Sequence, residues 1–233
     1  MSAIFRDRID AGRQLSAALY KYAGRSDVRV LALPRGGVPV GYEVAQSLAA
    51  PLDVFLVRKL GVPGHEEFAM GAIASDGVLV VDREVLLALQ IDDGTLNAVV
   101  LKERQELERR VRRYREGRPA PRVEGCVVIV VDDGLATGST MRAAVNALKQ
   151  EKPARIVVAV PVAAPSVCDS FRHGEFAADQ VVCLHTPEPF DAVSVWYADF
   201  AQTTDNEVQS LLAAHAGATI RSGDTTRQSE TTA

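Results

Sequence analysis

Val127-Val128-Ile129-Val130-Val131-Asp132-Asp133-Gly134-Leu135-Ala136-Thr137-Gly138-Ser139-Thr140 joins an apolar run, two adjacent acids and a small-residue loop without a break. The five apolar, mostly β-branched residues predict a strand covered on both faces. Asp132 and Asp133 then fall at its C-terminal edge, where open α/β sheets keep their ligand crevices. Ala136, Thr137, Gly138, Ser139 and Thr140 offer backbone N–H groups and hydroxyls with little bulk, and residues 141–149 read as a helix. A phosphate suits the N-terminus of such a helix. An Asp-Asp pair before glycine also occurs in ordinary strand-to-helix turns, with Ser139 or Thr140 as N-cap. Two acids flush with a buried strand are costly to desolvate unless they bind something, and a diol or a metal suits the pair. The stretch therefore reads as a sugar-phosphate site.

Outward from it, helix and strand patterns alternate. Asp10 is placed to cap a helix reaching about Tyr22, and 28–34 reads as a buried strand. There follow a helix near 38–48, a strand at 52–59, the central strand 126–131 with its helix, a strand at 154–162, a helix near 166–173 and a strand at 180–185. This alternation predicts an α/β fold with an open, mostly parallel twisted sheet and helices on both faces. Two segments interrupt it. Residues 71–81 predict a β-hairpin turning at Asp76-Gly77. Residues 82–118 predict a helical insertion, with Leu96, Val100, Leu107, Val111 and Tyr114 at helical spacing and Pro119 and Pro121 ending it. Its polar face carries Arg109, Arg110, Arg112 and Arg113 among others, against Glu103, Glu106 and Glu108. No aromatics interleave, so a solvated face with i,i+4 ion pairs is the first reading and a partner surface the second. Residues 217–233 are small and polar and are expected to be disordered, leaving 1–216 as a single domain.

At 233 residues and 47% hydrophobic content the chain can bury one substantial core with a small appended element. A net charge of −4 gives no general attraction to nucleic acid or anionic membrane, so any anion site must be local. Cys126, Cys168 and Cys183 are odd in number and lie in apolar surroundings, which predicts reduced thiols. No apolar run reaches a membrane span and the N-terminal residues lack a signal-peptide core, so the cytoplasm is the expected compartment.

Two further segments supply cations and N–H donors. In Pro34-Arg35-Gly36-Gly37 the glycines permit close backbone approach to an anion, and Arg35 adds a fork of donors. In Val57-Arg58-Lys59-Leu60-Gly61-Val62-Pro63-Gly64-His65-Glu66-Glu67-Phe68-Ala69-Met70 two cations end a strand before a Gly/Pro-rich loop. That loop reads as a lid able to close over a substrate and exclude water.

These motifs, within residues 28–185, resemble those of the type I phosphoribosyltransferases. Asp-Asp-x-Leu-Ala-Thr-Gly-x-Thr-Met looks most like the adenine branch, whereas the hypoxanthine-guanine branch carries a catalytic Asp where Ala136 stands. The resemblance implies transfer of phosphoribosyl from phosphoribosyl diphosphate (PRPP) to a nitrogenous base, with Mg²⁺ bridging substrate oxygens. It places the ribose diol on Asp132 and Asp133, the 5′-phosphate on residues 136–140, and pyrophosphate on Arg35, Gly36 and Gly37. It also puts a non-prolyl cis peptide bond between Pro34 and Arg35. Arg58, Lys59 and His65 would act on the pyrophosphate when the lid closes, and Asp132 and Asp133 are the protein's nearest metal donors. The general base stays open among Glu66, Glu67 and the Ser75-Asp76 position. A hood over the base is expected in 186–205, where Phe190, Trp196 or Tyr197 either stacks on the base or closes the core. Type I relatives are usually homodimers. A non-catalytic PRPP- or nucleotide-binding regulatory protein is the alternative from another class.

Overall fold

Val127–Val131 is buried along its whole length, as a strand covered on both faces requires. The computed structural model describes residues 3–75, 77–174 and 176–228, the side chains of residues 67 and 218–228 excepted. In chain order the elements are α1 (Arg8–Ala18), β1 (Val28–Ala32), α2 (Gly37–Leu48), β2 (Leu52–Val54), β3 (Val57–Val62), β4 (His65–Ala74), β5 (Leu79–Val81), α3 (Arg83–Ala88), α4 (Asp93–Arg115), β6 (Val127–Val131), α5 (Ser139–Gln150), β7 (Arg155–Val162), α6 (Pro165–His173), β8 (Gln180–His185) and α7 (Asp205–Gln228).

The main sheet is parallel, with strand order β2-β1-β6-β7-β8. The chain builds outward from β1 to β2 on one side and from β6 through β7 to β8 on the other. The order therefore reverses between the neighbours β1 and β6, and the loops leaving their C-terminal ends diverge around a crevice. Alternate residues feed two cores. Val30, Ala32, Ile129 and Val131 pack toward α1, α2 and α7, while Leu31, Val128 and Val130 pack toward α5 and α6. Each such valine, leucine or isoleucine side chain contributes about 1.5–3 kcal/mol when fully buried. That is how β6 offsets the cost of carrying two acids at its end.

The open parallel sheet with flanking helices is as the sequence predicts; several boundaries differ. The expected strand 52–59 is two strands, because Phe55 and Leu56 are both buried and carry the chain off the sheet edge. β3 then enters a separate antiparallel sheet, β3-β4-β5. The expected lid loop after Arg58-Lys59 is the β3–β4 hairpin, with Val62 paired to His65 across Pro63-Gly64. Proline followed by a glycine at φ +80° is the chemistry of a tight type II turn. The β4–β5 hairpin forms as predicted, Asp76 at its tip lying outside the described residues. The helical insertion is two helices, since Asp82 and Asp92 each cap a new N-terminus, accepting from Val85 N at 3.1 Å and Thr95 N at 2.7 Å. α1 is capped by Asp7 rather than Asp10, through Asp10 N at 2.7 Å, and gives way to a 3₁₀ turn at Tyr20–Tyr22.

Cys168 and Cys183 are joined in a disulfide rather than reduced, because α6 packs on β8 and sets their Cα atoms 6.8 Å apart; Cys126 is free. α7 runs to Gln228, through the segment expected to be disordered from residue 217, while residues 229–233 lie outside the described ones. Among the described residues no helix is long and apolar enough to cross a membrane.

Candidate active site

The site is built where β1 and β6 end. Leu33 N donates to Val131 O at 2.8 Å, which fastens the turn of residues 34–37 against the acid pair. The Pro34–Arg35 peptide bond is cis, where the family resemblance placed it. A Cβ on Gly36 would stand 2.6 Å from Asp133 Cγ, and one on Gly37 would stand 2.9 Å from Asp132 Cα. The two glycines thus let one backbone lie flush on the other's carboxylates, which no larger residue permits.

Burial, and then the like charge of Asp133, push Asp132 well above the usual aspartate range. Burial raises Asp133 too, with Arg8 opposing it: Arg8 Nε donates to Asp133 Oδ2 at 2.8 Å. Arg8 is itself fixed, donating to Ala201 O at 2.7 Å and lying 3.8 Å over the Phe200 ring. Tyr197 donates its hydroxyl to the Asp133 carbonyl at 2.6 Å, so the acid loop is held from both main chain and side chain. The sequence reading missed the roles of Arg8 and Phe200.

The raised Asp132 has a consequence for stability. Between the ordinary aspartate range and its raised value, the folded chain binds more protons than the unfolded chain. Stability then falls as pH rises through that window, and the ionised side chain is a net cost at neutral pH. Asp132→Asn is expected to raise the melting temperature of the free protein at neutral pH by about 2–4 °C, roughly 1 kcal/mol. Thermal denaturation measures this, and a lowered melting temperature would contradict the cost.

Residues 136–140, the expected phosphate loop, follow directly. Leu135 is bonded to the end of β7, its N–H donating to Val162 O at 2.9 Å and its carbonyl accepting from Ala164 N at 2.9 Å. That anchor aims residues 136–140 across the crevice. Gly138, at φ +69°, begins α5 with no side chain of its own to cap it and no acid in the first turn; Ser139 N donates to Thr137 Oγ1 at 3.4 Å, and the N–H groups that follow it in the first turn suit an anion. Thr137 and Ser139 hydroxyls lie 3.1 Å apart beside them.

The cations are distributed less simply. Arg58 and Lys59 are consecutive on β3 and so face opposite ways. Arg58 pairs with Glu103 of α4 at 2.6 Å. Lys59 shares with Ser139 and Arg142 the wall of a cavity of about 640 Å³, which brings it, rather than Arg58, toward the phosphate loop. Arg35 pairs with Asp205 of α7 at 3.6 Å. His65 is exposed near the hairpin tip, its ring 6.4 Å from that of Phe68. Backbone N–H donors, including Gly64 N at 3.3 Å, hold Glu66 below the usual carboxylate range, which weakens it as a base. The Glu67 side chain and Asp76 fall outside the described residues. Trp196 and Tyr197 are buried with Phe5 and Val162, closing a third core cluster. Phe190 packs at the edge of that cluster and is the most exposed of the three hood aromatics.

Among the described residues no three His, Cys, Asp or Glu side chains converge as a metal cage. A hard cation at the acid pair would take most of its oxygens from substrate and water, a donor set that fits Mg²⁺.

The family model for the phosphoribosyl transferase domain matches residues 2–170. Two Mycobacterium tuberculosis proteins, Rv0571c and MT0597, whose names assign them provisionally as phosphoribosyl transferases, are each 46% identical over 209 residues. The match covers 90% of this chain but 46% of theirs, so the chain spans about half their length. The crystal structure of TT1426 from Thermus thermophilus superposes with a TM-score of 0.79 at 43% identity, covering 91% of this chain and 98% of that one. Both the two strand-end loops and these matches place the chain in one family: it belongs to the phosphoribosyl transferase domain family.

Proposed function

We propose that the protein transfers the phosphoribosyl group of PRPP to a nitrogenous base, releasing pyrophosphate, in a Mg²⁺-dependent reaction. The carrying observation is the switch-point crevice, in which Gly36 and Gly37 lie on Asp133 and Asp132 beside the start of α5. The acid pair would accept from the ribose 2′- and 3′-hydroxyls, and the 136–140 loop would hold the 5′-phosphate. A ring nitrogen attacking C1 breaks the C1–O bond to the diphosphate and inverts the anomeric centre, giving a β-nucleotide. Charge grows on the leaving diphosphate, so fixed donors there lower the barrier. Arg35, the Gly36 N–H and Lys59 are those donors, joined by Arg58 and His65 as the hairpin closes. Mg²⁺, when bound, would neutralise the diphosphate, with Asp132 and Asp133 as protein donors.

A second reading is a PRPP- or nucleotide-binding regulatory protein. It is favoured by the pairing of Arg35 with Asp205 and of Arg58 with Glu103, which occupies two of the cations the reaction needs. The two separate in a screen of purines, pyrimidines and other nitrogen heterocycles with PRPP and Mg²⁺, following pyrophosphate release. Turnover with at least one base is the expected result. PRPP binding without pyrophosphate release from any base would replace the enzyme by the regulator.

A further inference from the structure

The arginine-rich face of α4 does more than meet solvent. Its pairs with Glu106 and Glu108 at i,i+3 and i,i+4 form as the sequence predicts. Toward its C-terminal end, however, Arg109, Arg110 and Arg113 turn with Tyr114 onto a concavity of about 250 Å³, closed by Arg35 from the turn after β1 and by Asp205 from α7. Its lining is almost wholly polar. Three elements far apart in sequence converge there, which a solvated helix face does not require.

Four guanidinium groups face two carboxylates. Glu106 serves both Arg109 and Arg110, at 2.8 Å each. Asp205 serves Arg113 at 2.7 Å and Arg35 at 3.6 Å, and also accepts from the Tyr114 hydroxyl at 2.6 Å. Two positive charges are left over around a space with room for about eight waters. Planar guanidinium forks bind phosphoryl oxygens in pairs of hydrogen bonds, and phosphate-bearing anions are the ligands they suit best.

We propose that this concavity is a binding site for a diphosphoryl group, walled by Arg109, Arg110 and Arg113 of α4 and sharing Arg35 with the pyrophosphate turn of the active site. A diphosphate has the sign that the surplus charge calls for and fits the space. Asp205 holds Arg35 and Arg113 in the free protein, and an incoming diphosphate competes with it for both. The site touches the proposed reaction through Arg35 but needs no turnover to exist. The diphosphoryl group belongs either to free pyrophosphate or to a nucleoside 5′-diphosphate.

The test is calorimetric titration of the whole chain, without PRPP, with inorganic pyrophosphate in one arm and ADP in the other. Arg109→Ser/Arg113→Ser is expected to weaken binding by about tenfold or more, the worth of one charge-assisted hydrogen bond. Arg104→Ser/Arg112→Ser, which removes the same charge from exposed positions of the same helix outside the concavity, should keep it within about twofold. Asp205→Asn should tighten it several-fold by releasing Arg35 and Arg113, a gain that no loss of fold can imitate. Equal losses in the two arginine pairs, or no loss in the first, would overturn the site, and so would weaker binding in the Asp205 variant. Tighter binding of pyrophosphate than of ADP identifies the free anion as ligand, and the reverse identifies the nucleotide; either supports the site. The result is separable from the active-site reading, because Arg109 and Arg113 have no part in the proposed reaction: pyrophosphate held only by the turn of Arg35, Gly36 and Gly37 would bind the Arg109→Ser/Arg113→Ser variant as tightly as the parent.

Discussion

Asp132→Asn/Asp133→Asn is expected to lower kcat/KM for PRPP-dependent pyrophosphate release by roughly 10²–10⁴-fold while the protein stays folded. Each acid would offer an ionised acceptor to one ribose hydroxyl, and hydrogen bonds to charged groups contribute about 1.5–3 kcal/mol apiece. Two such bonds, lost together where the reacting sugar is positioned, amount to that range of rate. The fold does not depend on the charges, and that of Asp132 is a net cost to it. β6 is held by the burial of Val127–Val131, and the backbone N–H of Asp133, which donates to Asp132 Oδ1 at 2.9 Å, can donate equally to an amide oxygen. Arg8 loses an ion pair but keeps Ala201 O and the Phe200 ring. The measurement is a pyrophosphate-release assay with whichever base proves active, beside a thermal melt of the same preparation. Unchanged turnover in a folded variant would remove the acid pair from the site, whatever the acceptor.

What the sequence made legible follows the range of the interactions involved. The Val127–Val131 run, the acids after it and the loop into α5 are contiguous, so period, β-branching and small-residue content state the strand, the switch-point edge and the anion loop together. The turn of residues 34–37 has a weak signal of its own, since paired glycines most often mark only a turn, and both its proposed role and its cis bond follow from the family resemblance. Arg8 was not legible: it stands 125 residues from the carboxylate it meets, in a segment with no local signal. The same is true of Asp205, whose partners Tyr114 and Arg35 come from elements that meet only in three dimensions. Residues 52–59 look like one strand in sequence because an apolar run does not report when its hydrogen-bonding partner changes. The cysteines misled for a related reason, as spacing says nothing of α6 folding onto β8.

Gly36→Ala is the single substitution from which we expect the largest effect. The added Cβ would lie 2.6 Å from Asp133 Cγ, inside any tolerable contact, so either the turn or the carboxylate must move. Asp133 has little freedom to yield, with Arg8 at 2.8 Å on one oxygen and the Tyr197 hydroxyl at 2.6 Å on its carbonyl. The turn has little more, since Gly37 is packed on Asp132 and its N–H donates to Leu33 O at 3.0 Å. A forced displacement near 1 Å between pyrophosphate turn and diol acids costs on the order of 10²-fold in rate. Overpacking of this kind costs about 1–3 kcal/mol of stability besides. Gly217→Ala is the matched control: it is exposed on α7, with nothing within 4 Å of an added Cβ, and should leave activity at the starting level. If Gly36→Ala turns over PRPP as well as Gly217→Ala does, the turn and the acid pair do not form one site, and the crevice between β1 and β6 is not where the sugar binds.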